Sequence, residues 1–341
     1  MMNEAGIKTN EIIAQEAFIR RTAIINKDFM LKGSFVTRQY FPSPNDRIPA
    51  DLDWVYLHHL SELDDARQTF DRWAIEVTEL ELNDGVKFRS FKENNFWRMI
   101  DYAMADDFPT INTDILCWIN DEPVEFRMDV SFNLDIDYLP ESLYYQPLQG
   151  EPFTVPQTAP LSLQVSWKIH QTLVRPRFKD IFDLSFLVQH PQFNESVLKD
   201  ALQALVNECS ADKVDLKKFR FFLSGEFEKL FPNNSLKTPW NYWRHDIHEK
   251  GNYSIFYDSA EDITDVSVLP ESLADFITNF KTTLEYAGLT EDLMNSLPVS
   301  TRKKNEVENT EETPNTNNTP SPQAPEHGFI SLFDRLRKFF D

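Results

Sequence analysis

A short turn at Gly33-Ser34 restricts the possible folds of this chain more than any other feature. Residues 28–32 form a mainly hydrophobic segment that predicts a strand, and residues 35–41 predict the beginning of a helix. The bare glycine backbone and the hydroxyl side chain after it let a phosphate approach main-chain N–H groups closely. A strand, a glycine turn and a helix in this order therefore predict a phosphate-binding turn.

An Asp-x-Asp pair follows this turn after a polar, proline-rich loop. Residues 51–56 predict a short strand, and its period of two puts Asp51 and Asp53 on the same face. Two neighbouring carboxylates repel each other unless a cation lies between them, so the pair favours a divalent metal site. Such a pair beside a phosphate-binding turn indicates phosphoryl or nucleotidyl transfer. The structural alternative is a solvated strand end, with Ser34 acting only as a helix N-cap.

Two groups of motifs in this sequence resemble those of the AbiEii/AbiGii toxin family of nucleotidyltransferases. The first group is Leu-Lys-Gly-Ser at residues 31–34, followed by Arg47 shortly before the Asp-Leu-Asp of residues 51–53. The second group is Lys168 in a predicted helix, followed by Arg-x-Lys-Asp-x-x-Asp-Leu at residues 177–184. The resemblance implies a fold of the DNA polymerase β type, with a mixed sheet and helices. It also implies that the activity requires an NTP and two Mg²⁺ ions.

The resemblance further implies a role for each motif residue. Asp51, Asp53 and Asp129 would hold the metal ions, and Lys168 would act with them in catalysis. The implied nucleotide-binding residues are Lys32, Gly33, Ser34, Arg47, Arg177, Lys179, Asp180 and Asp183. By physics alone, Asp180 and Asp183 share one helical face and could equally form structural ion pairs with nearby cations.

The third carboxylate comes from a strand beside the Asp-x-Asp strand in the implied fold. Residues 115–119 and 124–134 predict a hairpin, and residues 93–105 before it predict a helix. On the second strand Asp129 is the preferred ligand, because it lies mid-strand among apolar neighbours. Glu125 is the alternative, and an exposed charged face without any metal is equally compatible with the pattern.

Composition shifts divide the chain into five segments. Residues 1–138 predict a nucleotidyltransferase α/β domain with an N-terminal helix, and residues 139–160 predict a proline-rich connector. Residues 161–300 predict a mostly helical domain. Residues 301–328 have the composition of a disordered linker, and residues 329–341 predict a short amphipathic helix. The fold class is therefore α+β with a helical C-terminal domain and a disordered tail.

The net charge of −21 bears on the substrate and the compartment. A protein that holds RNA mainly through phosphate contacts should be locally basic, so the charge disfavours a long nucleic acid more than it disfavours a nucleotide. Cys117 and Cys209 are too few for a disulfide framework and indicate a reducing cytoplasm. The sequence contains neither a leader peptide nor an apolar run that predicts stable membrane insertion.

The leading hypothesis is a metal-dependent nucleotidyltransferase that acts as the toxin of a toxin–antitoxin or phage-defence system. The resemblance implies a tRNA 3′ end or a protein hydroxyl as acceptor and an antitoxin as partner, and it leaves the NTP open. The alternative is a catalytically silent nucleotide sensor that recruits a partner. For either function, residues 329–341 predict docking to a partner of unknown identity.

Overall fold

Helices cover both faces of one mixed sheet in this protein. The structure is a computed structural model that describes residues 4–61, 63–100, 109–136, 138–247 and 259–298. The predicted α+β fold class is confirmed within these residues. No helix among them is long and apolar enough to cross a membrane.

A single sheet contains all the strands of the described residues: β1 (Phe29–Lys32), β2 (Leu52–Tyr56), β3 (Val86–Phe88), β4 (Arg98–Ile100), β5 (Thr110–Ile119), β6 (Glu122–Ser131), β7 (Glu141–Tyr145) and β8 (Phe153–Thr158). They lie in the order β3-β5-β6-β2-β1-β8-β7, and β4 pairs with β5. Strand β2 is antiparallel to β1 and parallel to β6. The β2–β6 register pairs Asp53 with Asp129, so the two aspartates lie side by side.

The described residues also form a set of α-helices: α1 (Glu4–Ile25), α2 (Ser34–Thr37), α3 (Leu63–Glu79), α4 (Leu161–Val174), α5 (Phe178–Leu187), α6 (Glu195–Ala211), α7 (Lys217–Ser224), α8 (Lys237–His245), α9 (Leu273–Tyr286) and α10 (Glu291–Asn295). Helices α4 to α10 follow the sheet in sequence. Their core is aromatic: Phe178 of α5 packs against Trp243 of α8 and Phe276 of α9, with ring centroids 5.7 and 5.8 Å apart.

The two faces of the sheet bury different side chains, because successive residues of a strand point to opposite sides. On one face, Trp54 of β2 packs edge-on against Trp73 of α3 with ring centroids 5.5 Å apart. On the other face, Met30 and Val55 are buried beside the partly buried Trp167 of α4. Each of these two strands also carries a polar residue on the α4 side, so a polar site forms between the sheet and α4.

The predicted hairpin is confirmed, and the predicted helix before it is wrong. Asn120 and Asp121 connect β5 to β6 with φ angles of 50° and 65°, which asparagine and aspartate tolerate better than most residues. Of residues 93–105, residues 98–100 form β4, which pairs with β5 in an antiparallel register, and residues 101–105 lie outside the described part of the chain. Cross-strand pairing therefore overrides the local helical pattern there.

Residues 139–160 contribute β7 and β8 to the sheet, and β8 lies parallel to β1. Within these two strands the proline is Pro156 of β8, and it lies where the β7–β8 register shifts between Glu141 and Leu143, a bulge of the kind that tolerates proline in a sheet. The predicted linker at residues 301–328 and the predicted helix at residues 329–341 lie outside the described residues. The five domain boundaries stay predictions.

Candidate active site

Gly33 lies at the turn between β1 and α2 and has a φ of 73°. A Cβ atom at this position would lie 2.2 Å from Asp53 Oδ2, so the turn needs glycine both for its backbone conformation and for space. Ser34 is the first residue of α2 and does not cap it, because Gly33 occupies the N-cap position. Its Oγ lies 3.5 Å from the carbonyl oxygen of Asp51. The turn therefore presses directly against the Asp-x-Asp strand.

Three carboxylates lie near this turn. Asp53 is half-buried on β2, Asp129 is buried beside it on β6, and Asp51 is exposed just before β2. Glu125 lies four positions earlier on β6, is exposed, and pairs with Leu116 of β5. The register therefore places Asp129, and not Glu125, next to Asp53.

The fit of these carboxylates to a metal depends on their chemistry and on their arrangement. In the described part of the chain, no group of three or more His, Cys, Asp or Glu side chains is arranged to hold a metal ion. Lys32 Nζ lies 3.4 Å from Asp53 Oδ1. Carboxylate oxygens are the ligands that hard divalent cations prefer. The donor set therefore fits Mg²⁺ by its chemistry.

A network of ion pairs lies beside the carboxylates and joins α4, α5 and the loop before β2. Asp183 accepts from Lys168 Nζ at 2.7 Å and from Arg47 at 2.7 and 3.2 Å. Asp180 accepts from Arg177 at 2.7 and 3.2 Å and lies 3.6 Å from Lys168 Nζ. Both aspartates therefore orient Lys168. The structural interpretation of this motif as ion pairs and its functional interpretation are thus compatible.

The network keeps both aspartates ionised. Burial by itself raises the pKa of Asp183, but the charges of Arg47 and Lys168 outweigh burial and lower this pKa to about 2. Burial also raises the pKa of Asp180, and the charges of Arg177 and Lys168 again outweigh it, so this pKa is lowered as well. At neutral pH two carboxylates hold the Lys168 ammonium in place.

The turn, the carboxylates and the cations surround one cavity of about 350 Å³. Every residue that the sequence predicted for the site lines this cavity except Asp183, which lies behind Lys168 and Arg47. The lining contains six cations, in a chain whose net charge is −21: Lys32, Arg47, Lys168, Arg175, Arg177 and Lys179. The same lining contains seven carboxylates, so its charge is mixed rather than basic.

Further residues of the cavity were not predicted from the sequence. On the sheet side the hydroxyl oxygens of Thr110 and Ser131 lie 3.0 Å apart. On the helix side the lining includes Trp167, His170, Gln171, Glu208 and Asp212. The helical period after Lys168 could have indicated Gln171, but the α6 residues depend on how α6 packs against α4 and have no local signal.

A family model described as the nucleotidyl transferase AbiEii toxin of type IV toxin–antitoxin systems matches residues 18–241 of this chain. This range includes the glycine turn, all three carboxylates and the Lys168 network. A comparison with curated proteins gives no match.

Solved structures also resemble this chain. It is similar to MenT4, a nucleotidyltransferase toxin from Mycobacterium tuberculosis H37Rv, with 13% sequence identity, a TM-score of 0.48, and coverage of 86% of this chain and 88% of that chain. It is also similar to a protein from H. pylori whose crystal structure was solved as that of a candidate nucleotidyltransferase. The identity there is 14%, the TM-score is 0.37, and the coverage is 84% of this chain and 96% of that chain.

Proposed function

The chain belongs to the AbiEii family of toxin nucleotidyltransferases, and from this premise we propose that it transfers a nucleotide from an NTP to a hydroxyl acceptor in a reaction that depends on Mg²⁺. The observation that carries the proposal is the meeting of the Asp53–Asp129 pair, the Gly33 turn and Lys168 at one cavity. Carboxylates for a metal and cations for a triphosphate are the parts that this chemistry needs.

Asp51, Asp53 and Asp129 are the residues that would hold two Mg²⁺ ions. When bound, these ions neutralise phosphate charge and lower the pKa of the acceptor hydroxyl. The chain's own contribution is the β2–β6 register, which fixes Asp53 beside Asp129 before any substrate arrives. Such preorganisation reduces the rearrangement needed during reaction.

The triphosphate is held by groups of opposite charge and by the open turn. Lys168, oriented by Asp180 and Asp183, points its ammonium at the cavity, and Gly33 lets phosphate oxygens approach the backbone. The acceptor oxygen forms a bond to the α-phosphorus as the bond to the bridging β-phosphate oxygen breaks. Pyrophosphate leaves, and the hydroxyl proton passes to water.

The acceptor that this site fits is a terminal hydroxyl rather than the interior of a long nucleic acid. The net charge of −21 disfavours extended contact with phosphates, whereas six cations line the cavity, so we expect contact at the end of an acceptor. A tRNA 3′ end meets this requirement, and a protein hydroxyl is the alternative. The toxin family implies an antitoxin as the partner that restrains the activity.

The test is a transfer assay with each labelled NTP, total tRNA and Mg²⁺ at slightly alkaline pH. Label in RNA identifies a tRNA acceptor, and label in protein identifies a protein hydroxyl. If no NTP labels either acceptor, and Asp53→Ala behaves like the unchanged protein, the proposal is wrong. Calorimetry then decides whether the protein binds NTP without turnover, as the sensor alternative requires.

The carboxylate assignment has a matched control on the same strand. We expect Asp129→Asn to lower transfer by about 100-fold or more, because one ligand of the metal site is lost. Glu125→Gln changes an exposed carboxylate on the same face of β6 and should leave transfer unchanged. Equal effects of the two substitutions would reject Asp129 as the third ligand.

A further inference from the structure

The cavity continues beyond the carboxylates along one face of α4. Gln164, Lys168, Gln171 and Arg175 line it and recur every three or four residues, as side chains on one helical face do. With a rise of about 1.5 Å per residue, Arg175 lies roughly 16 Å from Gln164 along the helix axis. The cavity therefore has two ends, and α4 forms the wall between them.

The first end lies at the glycine turn. Thr37 Oγ1 of α2 lies 3.1 Å from Gln164 Oε1 and donates to it, and Ala159 N donates to Leu31 O of β1 at 2.8 Å. These contacts place the beginning of α4 beside Gly33. A nucleotide with its triphosphate bound at this end would extend its ribose and base along α4, toward α6.

The second end carries two carboxylates from α6. Glu208 and Asp212 line the cavity four residues apart, so they lie on one side of the helix end. Asp212 Oδ2 lies 3.1 Å from Nε2 of His170, a residue of α4 whose side chain is only 2% exposed. The buried imidazole therefore lies directly against this carboxylate. Arg175 adds a hydrogen-bond donor to the same end.

We propose that the α6 end, defined by His170, Arg175, Glu208 and Asp212, binds the nucleobase and selects a base with an exocyclic amino group. The inference rests on the proposed function, since it assigns the base of the same NTP. A carboxylate only accepts hydrogen bonds, so it pairs with the amino group of adenine, guanine or cytosine. Uracil offers two carbonyl oxygens around a single N–H group, and these oxygens are repelled by a carboxylate. UTP is therefore the disfavoured nucleotide.

Calorimetric titration with each of the four NTPs in the presence of Mg²⁺ tests this selection without requiring an acceptor. The unchanged protein should bind UTP at least about tenfold more weakly than its preferred NTP, as expected for a lost hydrogen bond to a charged group. Asp212→Asn should remove most of this difference, because an amide can donate to a uracil carbonyl. Glu208→Gln should act in the same direction.

Two further variants separate base selection from general damage. Asp200→Asn changes an exposed carboxylate of α6 that does not line the cavity, so the ratio of the UTP affinity to the others should stay unchanged. His170→Phe keeps an aromatic ring but removes the contact to Asp212. If His170 positions that carboxylate, the affinities for UTP and for the preferred NTP should become more similar in this variant. Thermal unfolding of every variant shows which of them fold.

The outcomes for base selection and for transfer are distinguishable. Equal binding of all four NTPs to the unchanged protein overturns the inference. The inference is also overturned if UTP still binds at least about tenfold more weakly than the preferred NTP in both Asp212→Asn and Glu208→Gln. If Asp212→Asn does not fold, Glu208→Gln alone decides. Selective NTP binding without label transfer would reject the proposed function and keep the inference. Label transfer together with equal binding of all four NTPs would support the proposed function and reject the inference.

Discussion

At the scale of single residues, the backbone at Gly33 leaves no space for a side chain. Replacement by alanine puts a Cβ atom 2.2 Å from Asp53 Oδ2 and also strains a backbone with a φ of 73°. We expect Gly33→Ala to lower the free energy of unfolding by at least about 2 kcal/mol. We also expect it to reduce transfer by about 100-fold, because Asp53 is displaced. Urea denaturation and the transfer assay measure the two effects.

Gly85 provides the matched control for this substitution. Its φ is 80°, but a Cβ atom there would meet nothing within 4 Å. Gly85→Ala should therefore show only the backbone cost, on the order of 1 kcal/mol, and normal transfer. If the two variants unfold and react alike, the contact between the turn and Asp53 has no functional meaning.

Asp183 supports the site from behind, and its contribution depends on pH. Asp183→Asn leaves the buried Arg47 guanidinium without its charged partner, which should cost about 3 kcal/mol at neutral pH. The pKa of Asp183 is about 2 in the folded protein, below its ordinary 3.8. Ionised Asp183 therefore stabilises the fold above about pH 4, and this contribution, about 2 kcal/mol, is lost as the pH falls toward 2.

The measurement is urea denaturation of the unchanged protein and of Asp183→Asn at several pH values between 7 and 2. The difference in stability between the two proteins should shrink below pH 4. Asp200→Asn, which alters an exposed carboxylate, should show a small difference at every pH. If the difference in stability between the unchanged protein and Asp183→Asn stays constant down to pH 2, the lowered pKa of Asp183 is contradicted.

At the scale of elements, α1 holds the edge strand β7 through a single buried carboxylate. Glu16 Oε1 accepts from Arg38 at 2.6 Å and from the Tyr145 hydroxyl at 3.0 Å, and Glu16 Oε2 accepts from Leu148 N at 2.7 Å. Glu16→Ala leaves Arg38 buried without its charged partner, so we expect a loss of about 3 kcal/mol. Hydrogen exchange should rise first in β7, the strand that carries Tyr145.

An exposed ion pair serves as the control for this prediction. Glu76 of α3 pairs with Lys27, and both side chains are about two-fifths exposed. Glu76→Ala should cost less than about 1 kcal/mol and leave exchange in β7 unchanged. Exchange that rises equally throughout the sheet in Glu16→Ala would show that this carboxylate supports the whole fold rather than its edge.

Local sequence predicts an element well where the hydrophobic period and the flanking turn residues indicate the same structure. The glycine turn, the Asp-x-Asp strand and the β5–β6 hairpin follow from alternation and turn residues within a few positions. Strand β4 does not follow, because Arg98, Met99 and Ile100 become a strand only by pairing with β5. The α6 end of the cavity is hidden for the same reason: Glu208 and Asp212 reach it through helix packing, which has no local pattern.

At the scale of the whole molecule, the part of the chain that the structure describes supplies the glycine turn, the carboxylates and the cations of the cavity. Its lining residues lie between Lys32 and Ile263, and residues 299–341 are outside the described part of the chain. Deletion of residues 328–341 should therefore leave transfer by the purified protein nearly unchanged. If this segment docks to a partner, the same deletion should reduce activity in cells, measured as growth inhibition.

Two results would change this interpretation of the tail. A loss of transfer by the purified deletion variant, equal to the loss in cells, would place residues 328–341 within the catalytic unit. Growth inhibition that is unaffected by the deletion would make the segment dispensable. Mutation of the three cations among residues 329–341 is a milder second variant for the same measurement.

The Arg47–Asp183 ion pair joins residues 136 positions apart, and Ile48 N donates to Ile263 O across a still longer interval. During synthesis the turn and the carboxylates leave the ribosome long before these partners do. A nascent chain that ends before residue 259 lacks Ile263, which lines the cavity and bonds to Ile48, and we expect ribosome-stalled fragments of this length to bind NTP more weakly than the full chain. For a toxin nucleotidyltransferase, this order of assembly would delay full activity until translation is nearly complete and would leave time for an antitoxin to be made.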